Sequence, residues 1–267
     1  MVFGSSATGG TPLVTFNSNA PGTILSSVGL ARSYGSIDFH PFTGELFGVD
    51  TAQAPGSVIY RIDPTTGAET SLSLTGDILS LENTGVNGMA FDPVTGLLRV
   101  TESNSQANYL VNIFGNSATV TRQTDFSFAP GDPNFGQAIR VDSMAFSSNQ
   151  ILYGIDSGLN ILVSINPQAD GLVNTIGSIG IPGFNLYGFD ITEDNRGFFT
   201  VDKNSTSQFY SVDLATGSST LIGDIGIGNI RGMAILAVPE PSSLGLTILA
   251  GVLAFARYRR RSQIAIG

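Results

Sequence analysis

The chain has 267 residues, 42% hydrophobic and only 12% charged, a composition of ordered domains, since disorder needs low hydrophobicity with high net charge. It contains no cysteine, which excludes disulfides, thiolate catalysis and Cys-ligated zinc. Of the formal charge of -9, the twelve basic residues contribute unevenly: Arg257, Arg259, Arg260 and Arg261 crowd the C-terminus, while residues 1–238 carry eight basic and twenty acidic side chains, hence -12. Such a body repels phosphate backbones and excludes nucleic acid as a partner.

In chain order, runs of four to seven residues rich in Val, Ile, Phe and Tyr alternate with turns built from Gly, Asn, Asp and Pro, the pattern of an all-β chain. Val2–Ser5, Leu13–Asn17 and Thr23–Val28 come first. A complete set of four follows: Ser36–Phe39 (A), Glu45–Asp50 (B), Val58–Asp63 (C) and Glu69–Leu74 (D). The A–B connection His40-Pro41-Phe42-Thr43-Gly44 and the C–D connection Asp63-Pro64-Thr65-Thr66-Gly67 share one chemistry. Pro presets φ, the first side chain caps locally, and Gly takes the positive φ that starts the next strand.

The A strand and its turn recur in Gly88-Met89-Ala90-Phe91-Asp92-Pro93-Val94-Thr95-Gly96, in Ser143–Phe146, in Gly188–Ile191 and in Gly232–Ile235. Counted from Ile37 through Met89, Met144 and Phe189 to Met233, the copies start 52, 55, 45 and 44 residues apart, a repeat period. Strand C recurs as Tyr109–Ile113, Ile161–Asn166 and Gln208–Asp213. The N-terminus supplies B, C and D of a unit without an A strand, and Arg231–Ala237 is an A strand with nothing after it. The two ends complement each other. Residues 1–237 are therefore predicted to form a five-bladed β-propeller whose last blade is completed by both termini, which removes open sheet edges.

Beyond it the material changes. Residues 238–243 are a Pro/Ser linker holding Pro239-Glu240-Pro241, residues 244–258 read as a transmembrane helix, and residues 259–267 form a basic tail. Ser242–Tyr258 as a helix spans about 25 Å, bridgeable to the ~30 Å hydrocarbon core by snorkelling arginines. The positive-inside rule puts the arginine cluster in the cytoplasm and the acidic body outside the inner membrane.

The order Pro-Glu-Pro, apolar helix, arginine cluster resembles the PEP-CTERM sorting signal. That resemblance implies export, transient inner-membrane anchoring and handling by an exosortase, a membrane-embedded transpeptidase-like enzyme, with the cell surface or extracellular matrix as destination and an exopolysaccharide or other surface ligand as partner. Ser262–Gly267 extends past the point where such tails usually stop. The body resembles a bacterial repeat family, domain of unknown function 4394. The residues that carry it are Leu13–Gly22, Gly35–Gly48 and Ile59–Gly67. The resemblance implies a propeller-like fold and no established activity. Met1–Pro12 has neither a basic nor an apolar leader region, so the reading frame of an exported protein is expected to start upstream.

Candidate chemistry is sparse. The single histidine, His40, falls in the A–B turn where another repeat has Asp92, and no Gly-x-Ser-x-Gly elbow, phosphate loop or dinucleotide fingerprint is present. Asp50, Glu102, Asp156 and Asp202 each end a B strand, with Ser6 in that place in the split blade. Asn87, Asp142, Tyr187 and Arg231 precede or open A strands and are expected on the same face. Carboxylates with the Asn87 amide are hard oxygen ligands suited to calcium, the arrangement a lactonase-like propeller hydrolase would use. An acid repeated in every blade equally serves a repeated structural job, capping the B–C turn. Asp190, Glu193, Asp194 and Asn195 read as a solvated hairpin tip. Tyr34, Tyr60, Tyr109, Tyr153, Tyr187 and Tyr210 read as packing between blades. The expectation is a non-enzymatic binding or structural module without a cofactor, with the calcium hydrolase as the competing class.

Overall fold

A computed structural model describes residues 1–7, 10–50, 57–79, 87–166, 171–181, 185–203 and 206–236. The sorting motif, the apolar segment and the arginine cluster lie outside these residues. Among the described residues no helix is long and apolar enough to cross a membrane.

The chain opens with β1 (Val2–Ser6), β2 (Pro12–Asn17) and β3 (Ala20–Gly29). The first complete repeat gives β4 (Ser36–Phe39), β5 (Leu46–Asp50), β6 (Val58–Ile62) and β7 (Glu69–Ser71), followed by a short β8 (Ser73–Gly76). Next come β9 (Asn87–Phe91), β10 (Leu98–Glu102), β11 (Ala107–Phe114) and β12 (Ser117–Arg122). The third set is β13 (Ser127–Phe128), β14 (Val141–Phe146), β15 (Leu152–Asp156), β16 (Ile161–Ile165) and β17 (Leu172–Ser178). The last elements are β18 (Asn185–Ile191), β19 (Gly197–Lys203), β20 (Thr206–Val212), β21 (Ser219–Asp224) and β22 (Ile230–Ile235).

These strands pair into five sheets, each an antiparallel meander of A, B, C and D. We number them I (β4 to β7), II (β9 to β12), III (β14 to β17), IV (β18 to β21) and V. Blade V has the order β22-β1-β2-β3, so the predicted split blade is realised: Val2 pairs with Ile235 and Gly4 with Met233. The A strands β4, β9, β14, β18 and β22 pack against one another around a central channel. Hydrophobic clusters fill the spaces between blades. One joins Phe47, Val49 and Ile59 of blade I to Met89, Phe91 and Val100 of blade II, and another joins Phe16 of blade V to Phe198 and Phe209 of blade IV.

The turns follow the expected chemistry. Asp63 Oδ1 accepts from the Thr65 and Thr66 N–H groups at 2.8 and 3.2 Å, and Asp92 and Asp213 do the same in their turns. His40 substitutes for the aspartate: its Nδ1 accepts from Phe42 and Thr43 N–H at 3.2 and 3.4 Å. Gly67 closes the turn at φ 73°, where a Cβ would also lie 2.3 Å from the Gly29 carbonyl oxygen.

Two features depart from the expected strands. The D strand predicted over Glu69–Leu74 breaks at Leu72. That residue is 4% exposed and inserts into the cluster between blades I and II. Past it the chain changes partner: β8 leaves blade I and runs parallel to β12, the outer strand of blade II. β13 adds to the outer edge of β17 in the same parallel manner. Both outer edges are thereby covered.

Candidate ligand site at the channel mouth

The acids at the ends of the B strands are each engaged by protein partners. Asp50 meets Arg32 Nε at 3.3 Å, and Arg32 also reaches Glu69 at 2.6 Å. Glu102 accepts from the backbone N–H groups of Asn104 and Ser105. Asp156 accepts from Arg140 N–H and Leu159 N–H, both at 2.8 Å. Asp202 Oδ1 accepts from Ser207 Oγ and from Asn229 N–H, both at 2.6 Å. Ser6, in the same place in blade V, donates to the Gly228 carbonyl at 2.8 Å. Glu102 and Asp156 thus cap the connections that follow their strands, whereas Asp50 pairs with Arg32 and Asp202 also reaches the residue before β22. Among the described residues no three His, Asp or Glu side chains gather so as to hold a metal ion.

The A strands bring a different set together. Asn87, Asp142, Tyr187 and Arg231 occupy one level of the repeat at the entry to the channel, each on a successive innermost strand. Three of these strands carry a bulge there. The register of β14 against β15 shifts at Asp142, that of β18 against β19 at Gly188, and that of β22 against β1 at Arg231. A bulge leaves one residue out of the ladder and re-aims side chains. The pairings of β4 and β9 are unbroken at this level.

The re-aimed groups lean on their neighbours. Asp142 accepts from Ser157 Oγ, hydrogen-bonds to Ser103 of blade II, and lies 3.3 Å from Arg140 Nε. Burial outweighs these partners and pushes its carboxyl up to about 7. Asp156 behind it is raised by burial too. The Arg231 guanidinium lies over the Tyr187 ring at 5.7 Å, and its Nε donates to Asn229 Oδ1 at 3.0 Å. Burial raises the Tyr187 hydroxyl, opposed by the nearby charges of Arg231 and Arg140. Asn87 is 1% exposed, and among the described residues neither its amide nitrogen nor its amide oxygen has a hydrogen-bond partner. Leaving a buried polar group so costs about 1–3 kcal/mol.

Deeper in the channel lies a pair that sequence reasoning missed. Asp38 and Asp190 hold the same repeat position, where the other blades have Ala90, Ala145 and Ala234. Each caps a free N–H on the next blade's A strand: Asp38 Oδ2 accepts from Phe91 at 2.7 Å, and Asp190 Oδ2 from Ile235 at 2.6 Å. Burial raises both carboxyls, Asp38 to about 7, and the Asp38 charge raises Asp190 further. Asp190 was expected at a hairpin tip with Glu193, Asp194 and Asn195. It sits instead within β18 facing the channel, because the strand extends to Ile191 before the turn begins. Asp194, paired with Arg196 at 2.8 Å, is at the exposed tip as expected. The signal available in the sequence was an Asp in two copies of the A strand where three have Ala.

Tyr34, Tyr60, Tyr109 and Tyr187 are buried, and Tyr153 and Tyr210 pack on the cluster between blades III and IV. These six tyrosines are thus packed as core, and the Tyr187 ring also lies beneath Arg231.

Five four-stranded meanders around a channel, closed by a blade shared between both chain ends, define a five-bladed β-propeller with a polar channel mouth. The chain belongs to the family described as Domain of unknown function (DUF4394), whose model matches residues 12–234. A search of curated proteins finds no match. Among solved structures, a protein of unknown function from Bacteroides thetaiotaomicron is similar at 13% identity and a TM-score of 0.55, the match covering 88% of this chain and 64% of that one. This chain therefore spans less than two thirds of that relative's length. A chain of the nidogen/laminin complex matches at 13% identity and a TM-score of 0.51, covering 87% of this chain and 97% of its own. These likenesses show the fold alone.

Proposed function

We propose that the protein is an exported cell-surface or matrix component sorted by an exosortase-type transpeptidase, and that its propeller is a non-enzymatic binding module acting through the channel mouth. The observation that supports the binding role is the set of uncommitted groups held there, with the buried Asn87 amide foremost. The support for the address is the run Pro239-Glu240-Pro241, apolar segment and arginine cluster, with its inner-membrane anchor before processing. A histidine-based triad could draw only on His40, whose Nδ1 accepts from the N–H groups of its own turn.

Cell fractionation with mass mapping of the C-terminus tests the address. The expected product is a chain cleaved near Pro239–Pro241 and recovered from the envelope or the medium. Replacement of Pro239, Glu240 and Pro241 by alanine is expected to hold the full-length chain in the inner membrane. A wild-type chain that stays there permanently at full length overturns this reading.

A calcium-dependent hydrolase acting at Asp50, Asn87, Glu102, Asp156 and Asp202 is the second reading, favoured by the placement of one acid per complete blade on a common face. Against it stands the engagement of each carboxylate by a protein partner, Arg32 for Asp50 and nearby N–H or hydroxyl groups for Glu102, Asp156 and Asp202. Calcium titration by calorimetry decides it: absence of heat and of any rise in Tm ends the metal reading.

A further inference from the structure

The guanidinium groups of the propeller fall into two classes. Arg32, Arg61, Arg99 and Arg122 donate through terminal nitrogens to side chains or carbonyls. Arg140, Arg196 and Arg231 donate only through Nε, so their terminal nitrogens are uncommitted among the described residues. Arg196 stands on an exposed hairpin tip at the opposite face. Arg140 immediately before β14 and Arg231 on β22 stand on the blades before and after that of Tyr187, at the channel mouth, and the Arg231 guanidinium lies over the Tyr187 ring.

From this geometry we propose that the channel mouth binds a carboxylate group, gripped by the free forks of Arg140 and Arg231, with the Tyr187 hydroxyl and the Asn87 amide as further donors. The proposal rests on the binding-module reading above and names the chemistry of its ligand. A planar fork of two N–H groups matches a carboxylate in two parallel bonds, and charge-assisted bonds of this kind are roughly twice as strong as neutral ones. The Asn87 amide supplies the second, independent pointer, since a buried group with both atoms unpartnered is completed by what binds beside it. A monoanion is favoured over a phosphate dianion because Asp142 and Asp202 border the same mouth and the propeller as a whole is strongly acidic. A cation is disfavoured because the bordering carboxylates already have donors. The Tyr187 ring, already beneath Arg231, leaves that guanidinium's charge directed outward from an apolar platform.

The test is a titration of the isotopically labelled full chain, followed through the arginine Nε–H and Asn side-chain signals, with sodium acetate, sodium phosphate, sodium chloride and maltose as probes. Acetate is expected to shift Arg140, Arg231 and Asn87 along one saturable curve while Arg196, the free arginine on the far face, stays put. Arg231→Gln and Arg140→Gln are each expected to weaken that binding about tenfold or more while a cooperative melt is retained. Three results overturn the proposal: no saturable shift with acetate, an equal response to chloride, or tighter binding of phosphate than of acetate. Maltose shifting the same signals where acetate does not would overturn the carboxylate assignment while upholding a binding mouth. Silence of the mouth signals with every probe would count against both.

Discussion

Asp38 and Asp190 illustrate how one atom's placement sets a property of the whole molecule. Their carboxyls, both raised by burial and that of Asp190 further by the Asp38 charge, retain protons in the folded state at pH values where the unfolded chain, titrating near 3.8, has released them. The folded state therefore binds more protons than the unfolded state, and stability must fall as pH rises. The contribution is complete below the ordinary carboxylate range and is lost progressively from about pH 4 to about pH 7, the folded value of Asp38. Asp142, also pushed up to about 7, adds to the same slope. Thermal melts at constant ionic strength are expected to show Tm declining over this interval. Asp190→Asn keeps an acceptor for the Ile235 N–H and removes one charge, so it is expected to raise Tm above pH 7 and flatten the profile. A Tm that instead rises between pH 4 and 7 in the wild type would contradict this account.

At the scale of single elements, turns and strand edges carry the specificity. Gly67 and Gly115 both adopt positive φ, at 73° and 58°, but only Gly67 is pressed against a neighbouring carbonyl, while a Cβ at Gly115 meets open space. Gly67→Ala is expected to cost about 1–3 kcal/mol or more, through the backbone conformation and the clash together. Gly115→Asn is expected to be near neutral, since Asn tolerates left-handed backbone. Chemical denaturation of the two variants compares them directly. Leu72 holds the crossing between blades I and II, and Leu72→Ala is expected to destabilise by about 2–5 kcal/mol, as for other buried leucines.

The elements also show what was readable beforehand. Strand alternation and the Asp-Pro-x-Thr-Gly turn are local signals, and they located the A, B and C strands to within two residues except at β18, which begins three residues before Gly188. The exchange of β8 onto β12 was not readable, because outer-edge pairing is decided by a neighbouring blade distant in sequence. The bulges at Asp142, Gly188 and Arg231 escaped for the same reason: register belongs to a pair of strands. For the site, the positions Asn87, Asp142, Tyr187 and Arg231 were legible as one level of the repeat. That two arginines would keep their forks free was not, since it depends on which partners lie within reach.

At the scale of the whole molecule, closure is the organising property. β1 lies between β22 and β2, so its removal strips the innermost strand of blade V of its only in-sheet partner. Deletion of residues 1–6 is expected to abolish the single cooperative unfolding transition and to produce soluble oligomers through the exposed edges, read by calorimetry and size-exclusion chromatography. A monomer that melts cooperatively at the wild-type temperature would show that the seam is dispensable.

The seam also sets the order of events in time. The Met1 amino group and the Leu236 carbonyl, 235 residues apart in sequence, meet at 3.4 Å, and the Leu236 N–H donates back to the Met1 carbonyl at 3.1 Å. The other blades are built from neighbours in sequence, and so are the β1–β2 and β2–β3 pairs of this one, whereas its β22–β1 pair needs nearly the entire chain in place before it can form. Loop closure over such a span is entropically opposed and contributes nothing until it is complete. Closure of the β22–β1 seam is thus expected to come last in refolding, after the locally paired strands have formed an open arc.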